Sequence, residues 1–247
     1  MALNRTFRSA GSTLAALLAG SIWVAPPALA QQERIDTPYE WIDPSLRVGL
    51  YVGNISTSRG ASDLGIGSSM VIGSRLRARL SSPLSFELSA GFGSSSRAVI
   101  DPRLETGPAA VDSVDVDWLL LEGGFQIALT GARTLHGIQP YVTLTGGILQ
   151  GLSEPRSDSL LAVGDELFRF EVGTTAVFSG GLGLEWIPSE RLGFGIELRD
   201  HLWRINTPDG FFQASVLQRI EELGLPAPED SEWAHTIELS ASLYDYF

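Results

Sequence analysis

The chain has 247 residues, a net charge of −12, 27 Gly and no Cys. An acidic chain repels nucleic acid, and without thiols there is neither a disulfide framework nor a Cys-ligated metal. Every basic residue is Arg, from which no mechanism follows.

In chain order, Arg5 and Arg8 precede an apolar stretch, Leu14 to Val24, and then Ala-Pro-Pro-Ala-Leu-Ala. Ala28 and Ala30 fit an A-x-A cleavage site, so residues 1–30 read as a secretory signal peptide and a mature chain begins near Gln31. No later apolar run approaches the roughly 18–20 residues of a membrane helix. A chain of this kind enters a membrane only as a closed barrel, the other form that satisfies every backbone group in lipid. Residues 31–44 form a periplasmic lead-in, and residues 45–247 are expected to be the barrel.

Eight segments alternate with period two, the mark of a strand with two unlike faces. Strand one, near Leu46 to Asn54, sets Leu46, Val48, Leu50 and Val52 against Arg47, Gly49, Tyr51 and Gly53. Strand two, near Leu64 to Arg79, sets Leu64, Ile66, Met70, Ile72, Leu76 and Ala78 against Gly65, Gly67, Ser69, Gly73, Arg75, Arg77 and Arg79. After the Ser81-Ser82-Pro83 turn, strand three points Leu84, Phe86, Leu88, Ala90 and Phe92 outward. Strand four, near Val116 to Thr130, does so with Leu119, Leu121, Phe125, Ile127 and Leu129. Strand five, after Pro140, uses Val142, Leu144 and Ile148. Strand six, near Thr174 to Ile187, uses Phe178, Leu182, Leu184 and Trp186. Strand seven carries Leu192, Phe194, Ile196, Leu198 and Leu202 outward, with Glu197, Arg199 and His201 inward. The terminal strand, Trp233 to Phe247, stops on an aromatic residue.

Strands of about ten residues, an even count and alternating faces fit a transmembrane up-and-down antiparallel β-barrel of the outer-membrane kind. Connections after strands two, four and six are short or moderate and are assigned to the periplasm. Those after strands three, five and seven, roughly 95–113, 154–173 and 206–232, are long and are assigned to the cell exterior. Tyr141, Trp186, Phe194, Tyr246 and Phe247 are expected in a lower aromatic girdle, and Phe92, Trp203 and Trp233 in an upper one.

The register turns Arg47, Arg75, Arg77, Arg79 and Arg199 inward together with Glu87, Glu122, Glu185, Glu197 and Glu238. Eight strands leave a lumen that side chains fill. Buried charges must be paired, so the expectation is an ion-paired plug, with a gated narrow channel as the alternative. Hairpin pairing places Glu87 opposite Arg77 and Arg199 near Glu238.

The signal peptide, eight amphipathic strands, long alternate loops and terminal Phe resemble the small bacterial outer-membrane β-barrels, with the barrel of outer-membrane protein A as the nearest architectural relative. Leu198 to Arg204 is also similar to a segment in a poorly characterised group of such barrels. The resemblance implies an outer-membrane location and contact with outer-membrane lipid and lipopolysaccharide. It also implies insertion by the barrel-assembly machinery through the terminal strand, with Phe247, Tyr246 and Leu243 as the signal. A monomer is expected, with no nucleic acid. No peptidoglycan-binding domain follows the barrel, so no tether to the cell wall is expected.

Three functions follow. The first is a structural, surface-interacting or limited solute-passing porin-like barrel without enzyme activity or cofactor. The second is an outer-leaflet lipid-modifying enzyme of the lipid A deacylase or acyltransferase kind. His235 and Asp200, outward at the upper level of neighbouring strands, are its candidate pair; His136 falls in a turn. No H-E-x-x-H, G-x-S-x-G or phosphate loop is present. The third is a secreted lipocalin-like barrel with its apolar stripe turned inward. In the loops, Asp112, Asp115 and Asp117, with Glu154, Asp158, Asp165 and Glu166, are weak candidates for divalent cations. Phe212, Val216, Ile220 and Leu223 recur at helical spacing and predict a short helix ended by Gly224 and Pro226.

Overall fold

The structure, a computed structural model, describes residues 39–42, 45–60, 62–152, 166–168, 170 and 172–247. The signal peptide, most of the lead-in, and Glu154, Asp158 and Asp165 lie outside the described residues, as does the side chain of Glu166.

The strands are β1 Tyr39–Trp41, β2 Leu46–Thr57, β3 Ser69–Arg79, β4 Leu84–Asp101, β5 Ala109–Ala128, β6 Arg133–Leu135, β7 Ile138–Gly151, β8 Thr174–Trp186, β9 Leu192–Asn206 and β10 Ser231–Tyr246. All pair antiparallel. The eight long strands close on themselves, because β10 pairs with β2 from Thr236↔Thr57 to Tyr246↔Arg47. Closure removes the free edges that hydrocarbon could not satisfy. The backbone of Phe247 completes the seam, donating to Leu46 O at 2.9 Å and accepting from Leu46 N at 3.2 Å. β1 and β6 form a small ribbon beside the short-turn end.

The outer wall is apolar over the middle of every strand. On β9 the outward run Leu192, Phe194, Ile196, Leu198 and Leu202 is broken only by Asp200. Ten residues of tilted strand span about 25 Å, the height of a hydrocarbon-facing band. The lipocalin-like reading is thereby overturned: the apolar stripe faces out and the charged stripe faces in.

Three expectations about the wall and its connections need correction. Leu64 and Ile66 are 1% and 2% exposed and sit in the β2–β3 connection, not on the outer wall; β3 starts only at Ser69. The segment 95–113 is not an irregular loop: β4 and β5 run on as a hairpin of 18 and 20 residues, pairing to Asp101↔Ala109. Tyr141, Tyr246 and Trp203 leave the girdles, being 1%, 4% and 2% exposed and turned into the lumen. Trp186 and Phe194 do stack on the outer wall, with ring centroids 5.6 Å apart.

The β9–β10 connection holds α1, Ala214–Glu222. Val216 and Ile220 face inward, but Phe211, in a 3-10 turn before the helix, takes the buried place expected of Phe212, and Leu223 is exposed. Gly224, at φ +67°, ends the helix. Its N–H meets Glu221 O and that of Leu225 meets Ile220 O, both at 3.0 Å, so two carbonyls at the helix end are satisfied.

Candidate functional site

Side chains fill the lumen in two layers. The lower layer is charged. Rings lie over glycines of the adjoining strand, which supply the room: a Cβ on Gly49 would stand 2.4 Å from the Tyr244 ring, and one on Gly183 2.2 Å from that of Tyr141. The guanidiniums stack on the rings, Arg75 over Tyr51 at 4.1 Å and Arg77 between Tyr141 and Tyr244, each at 4.8 Å.

Arg77 meets Glu87 at 2.6 Å, its cross-strand partner, and Glu197 at 3.2 Å. Arg75 meets Glu197 at 3.2 Å and Glu238 at 2.9 Å. Arg199 bridges Glu87 at 2.6 Å, Glu122 at 3.1 Å and Glu197 at 2.5 Å. It stands opposite Glu238 in register, yet Glu238 turns to Arg75 and His201 instead. Arg47 meets Glu185 at 3.1 Å, and Tyr246 also hydrogen-bonds that carboxylate. Tyr141 donates to Glu197 at 2.8 Å.

Arg79 does not join this layer: half-buried at the short-turn end, it reaches the Ile42 carbonyl at 3.4 Å. His201 takes the fifth place. Its Nδ1 lies 2.7 Å from Ser179 Oγ and 3.4 Å from Glu122, and its Nε2 lies 3.3 Å from Glu238. A ring with both nitrogens facing acceptors suits the doubly protonated form, and with it five carboxylates face five cations. Sequence reasoning turned His201 inward but left it and the four tyrosines out of the network. The signal was present, since Tyr51, Tyr141, Tyr244 and Tyr246 all fall on the inward register.

The upper layer is largely apolar, with Arg97 of β4 buried in it over the Phe170 ring at 5.1 Å. Ile55, Val71, Trp118, Leu120, Leu149, Val177, Trp203 and Ile205 line the wall, and Leu64, Ile66, Phe211, Val216 and Ile220 enter from the connections above. Trp203 Nε1 donates to Thr236 at 3.1 Å. Between the layers a cavity of about 20 Å³ touches His201, Glu238, Trp118 and Trp203, room for roughly one water.

On the outer wall His235 Nδ1 and Asp200 Oδ2 lie 3.0 Å apart. The strand positions around them are Leu198, Leu202 and Gly180 toward β9 and β8, and Ile237 on β10 with Ser56 across from it on β2; just past the end of β2, Ser58 N donates to the His235 carbonyl at 2.8 Å. Asp115 and Asp117 project outward from β5, and among the described residues no three His, Asp or Glu side chains gather as a metal would need. Leu243 and Phe247 are exposed, whereas Tyr246 points inward.

No protein-family model matches the chain, and no curated protein matches it in sequence. Solved structures do match. Neisserial surface protein A aligns over 82% of this chain and 97% of its own, at 12% identity and a TM-score of 0.50. The fold is that of the small eight-stranded outer-membrane barrels. Weaker matches are the N-terminal barrel of Pseudomonas aeruginosa OprF (12% identity, 79% of this chain and 96% of that one, TM-score 0.37) and Ail, the attachment invasion locus protein of Yersinia pestis (10% identity, 82% and 99%, TM-score 0.38).

Proposed function

We propose that the protein is a resident of the bacterial outer membrane that spans it as a sealed barrel and works through its long-loop end, not as a solute pore or an enzyme. The observation that carries this reading is the double seal. An ion-paired layer and a largely apolar layer lie in series, and the cavity between them that touches His201 and Trp203 holds about 20 Å³. A permeant ion would have to break several buried pairs, each costly once its partner is lost, and then cross a second layer lined chiefly by apolar side chains, with buried Arg97 among them. The exposed end suits surface contact. Asp63, Glu105, Asp112, Asp115, Glu221, Glu222 and Glu229 are exposed or half-buried there, and an acidic rim attracts cations and basic partner surfaces. Insertion through the terminal strand and contact with lipopolysaccharide belong to the same reading.

Planar-bilayer recording on the purified protein tests the seal. The expected trace shows no discrete openings over ±100 mV, and steady openings would sink the reading. The second reading, a lipid-modifying enzyme, has the His235–Asp200 contact in its favour. Lipid A from cells carrying His235→Ala, compared with wild type by mass spectrometry, decides it; an unchanged profile removes it.

A further inference from the structure

The outer wall carries one feature that a hydrocarbon-facing surface does not need. Asp200 faces outward on β9 and His235 on β10, amid exposed Leu198, Ile237 and Phe178. Trp233 and Arg204 stand opposite each other at the upper edge of the wall. From that row to Asp200 is four residues of tilted strand, a drop of about 10 Å. Ionisable groups at such depth are costly and call for a partner. Asp200 engages Nδ1 of the ring and so fixes its orientation. His235 is itself exposed, with a side-chain accessibility of 59%, and Nε2 is its remaining polar atom. Beside Asp200, Gly180 leaves a notch, since a Cβ there would meet no atom within 4 Å. Above, exposed Arg204 is a diagonal neighbour of His235, with Cβ atoms about 7 Å apart by sheet geometry.

We propose that Arg204, His235 and Asp200 form a lipid-recognition ladder for an outer-leaflet lipid that pairs a phosphorylated headgroup with hydroxyl or amide donors at the top of its acyl chains. Arg204 takes the phosphate at the interface. The carboxylate of Asp200 disfavours an anion at the lower rung, so the group held by the His–Asp pair is a neutral donor. Amide-linked or hydroxylated chains offer such donors at this depth. The ester carbonyls of glycerophospholipids offer only acceptors. The Gly180 notch gives the chain room to lie against the wall. This inference rests on the outer-membrane reading and adds the lipid class.

Native mass spectrometry of the purified full protein tests it. The probes are a phosphorylated glucosamine lipid with amide-linked hydroxyacyl chains and phosphatidylglycerol. Wild type should retain the first on the order of tenfold better, the worth of one hydrogen bond to a charged group. His235→Ala and Gly180→Leu should bring the ratio close to one, while Arg204→Ala should weaken both lipids. His235→Gln, which restores a hydrogen-bonding amide, should recover part of the preference. Equal retention by wild type, or a preference that survives His235→Ala, overturns the proposal. A mass of two chains that His235→Ala abolishes also overturns it, by seating a second copy on this wall. All these variants lie on the outer wall, so an unfolded barrel is recognised by its lost β-signal in circular dichroism, and Gly180→Leu then serves alone. If the protein does not fractionate with outer membranes, the underlying reading falls; if it does and shows no lipid preference, only this inference falls.

Discussion

Truncation of Arg199 to Ala is the sharpest test of the lumen. The guanidinium lies 2.6 Å from Glu87, 3.1 Å from Glu122 and 2.5 Å from Glu197. None of the three carboxylates is left bare by its loss. Glu87 keeps Arg77 at 2.6 Å, Glu197 keeps Arg75 and Arg77 at 3.2 Å, and Glu122 keeps His201 at 3.4 Å and the Thr145 hydroxyl at 3.2 Å. What remains is one unit of unbalanced charge sealed among residues that are all under 10% exposed. The expected loss is about 3–5 kcal/mol, that of removing one partner from a buried ion pair. Against a total stability of about 5–15 kcal/mol, that is a large fraction. Urea unfolding in lipid vesicles, followed by tryptophan fluorescence, measures it. Arg199→Met combined with Glu122→Leu, which restores the charge balance in similar volume, should recover at least half. A loss below about 1 kcal/mol for Arg199→Ala would mean that water already screens the network, and a double variant no better than the sum of its singles would mean that charge balance is not what holds it. Bilayer conductance should stay silent in all these variants, because the apolar layer is untouched.

Three further outcomes follow from particular contacts. Gly183→Val puts methyl groups into the Tyr141 ring that hydrogen-bonds Glu197, and should cost about 1–3 kcal/mol in the same unfolding assay; a neutral result contradicts the ring-over-glycine packing. Asp101, beyond the hydrocarbon band at the end of the β4–β5 hairpin, accepts hydrogen bonds from the Arg103 side chain at 2.9 and 3.0 Å, which hold its carboxyl below the usual range. With the folded value depressed, its contribution is present above the unfolded value near 3.9 and is lost as pH falls through the folded one. Hydrogen exchange at the hairpin tip, corrected for its intrinsic rate, should therefore be flat from about pH 7 to 5 and rise below about pH 4, and Asp101→Asn should abolish that rise. Spin labels at Leu239, which is 56% exposed, should report acyl chains, and labels at Ser240, which is 2% exposed, should not; the reverse pattern would invert the wall.

Closure, strand number and the inward charges were legible because period two survives across the hydrocarbon band: Leu239, Ala241 and Leu243 against Ser240, Ser242 and Tyr244 leave one assignment of faces. Partners within the lumen were not legible. Arg199 and Glu238 are cross-strand neighbours, but long side chains in a narrow cylinder reach across it, and Arg199 instead finds Glu87, 112 residues away in the chain. Arg79 shares its face with Arg75 and Arg77 but lies at the strand end, where the carbonyl of Ile42 is nearer than any carboxylate partner shown for the other arginines. The Asp200–His235 contact was legible as two outward residues at one level, which sheet register turns into diagonal neighbours.

The upper layer was missed for a different reason. On β9 the apolar residues are outward up to Leu202 and inward from Trp203, with Arg204 and Asn206 then facing out. On β5 Asp115 and Asp117 face out while Val114, Val116, Trp118 and Leu120 face in; beyond Glu122 the apolar face is again the outer one. The backbone alternates without interruption while the hydrophobic phase flips. The cause is solvent: below the flip the outside is hydrocarbon and the inside must hold what hydrocarbon rejects, whereas above it the outside is water and the barrel packs like a soluble domain. A flip forces adjacent apolar residues at the crossing, and these stand in the sequence as Trp118-Leu119-Leu120-Leu121, Ile148-Leu149 and Leu202-Trp203. Reading each run as a single uninterrupted face pushed Trp203 into a girdle and Leu64 and Ile66 onto the wall. The crossings also mark the membrane boundary strand by strand. Leu202 stands two residues above Asp200, which leaves Asp200 on the hydrocarbon side of the boundary, where an ionisable side chain is costly and calls for the partner it has in His235.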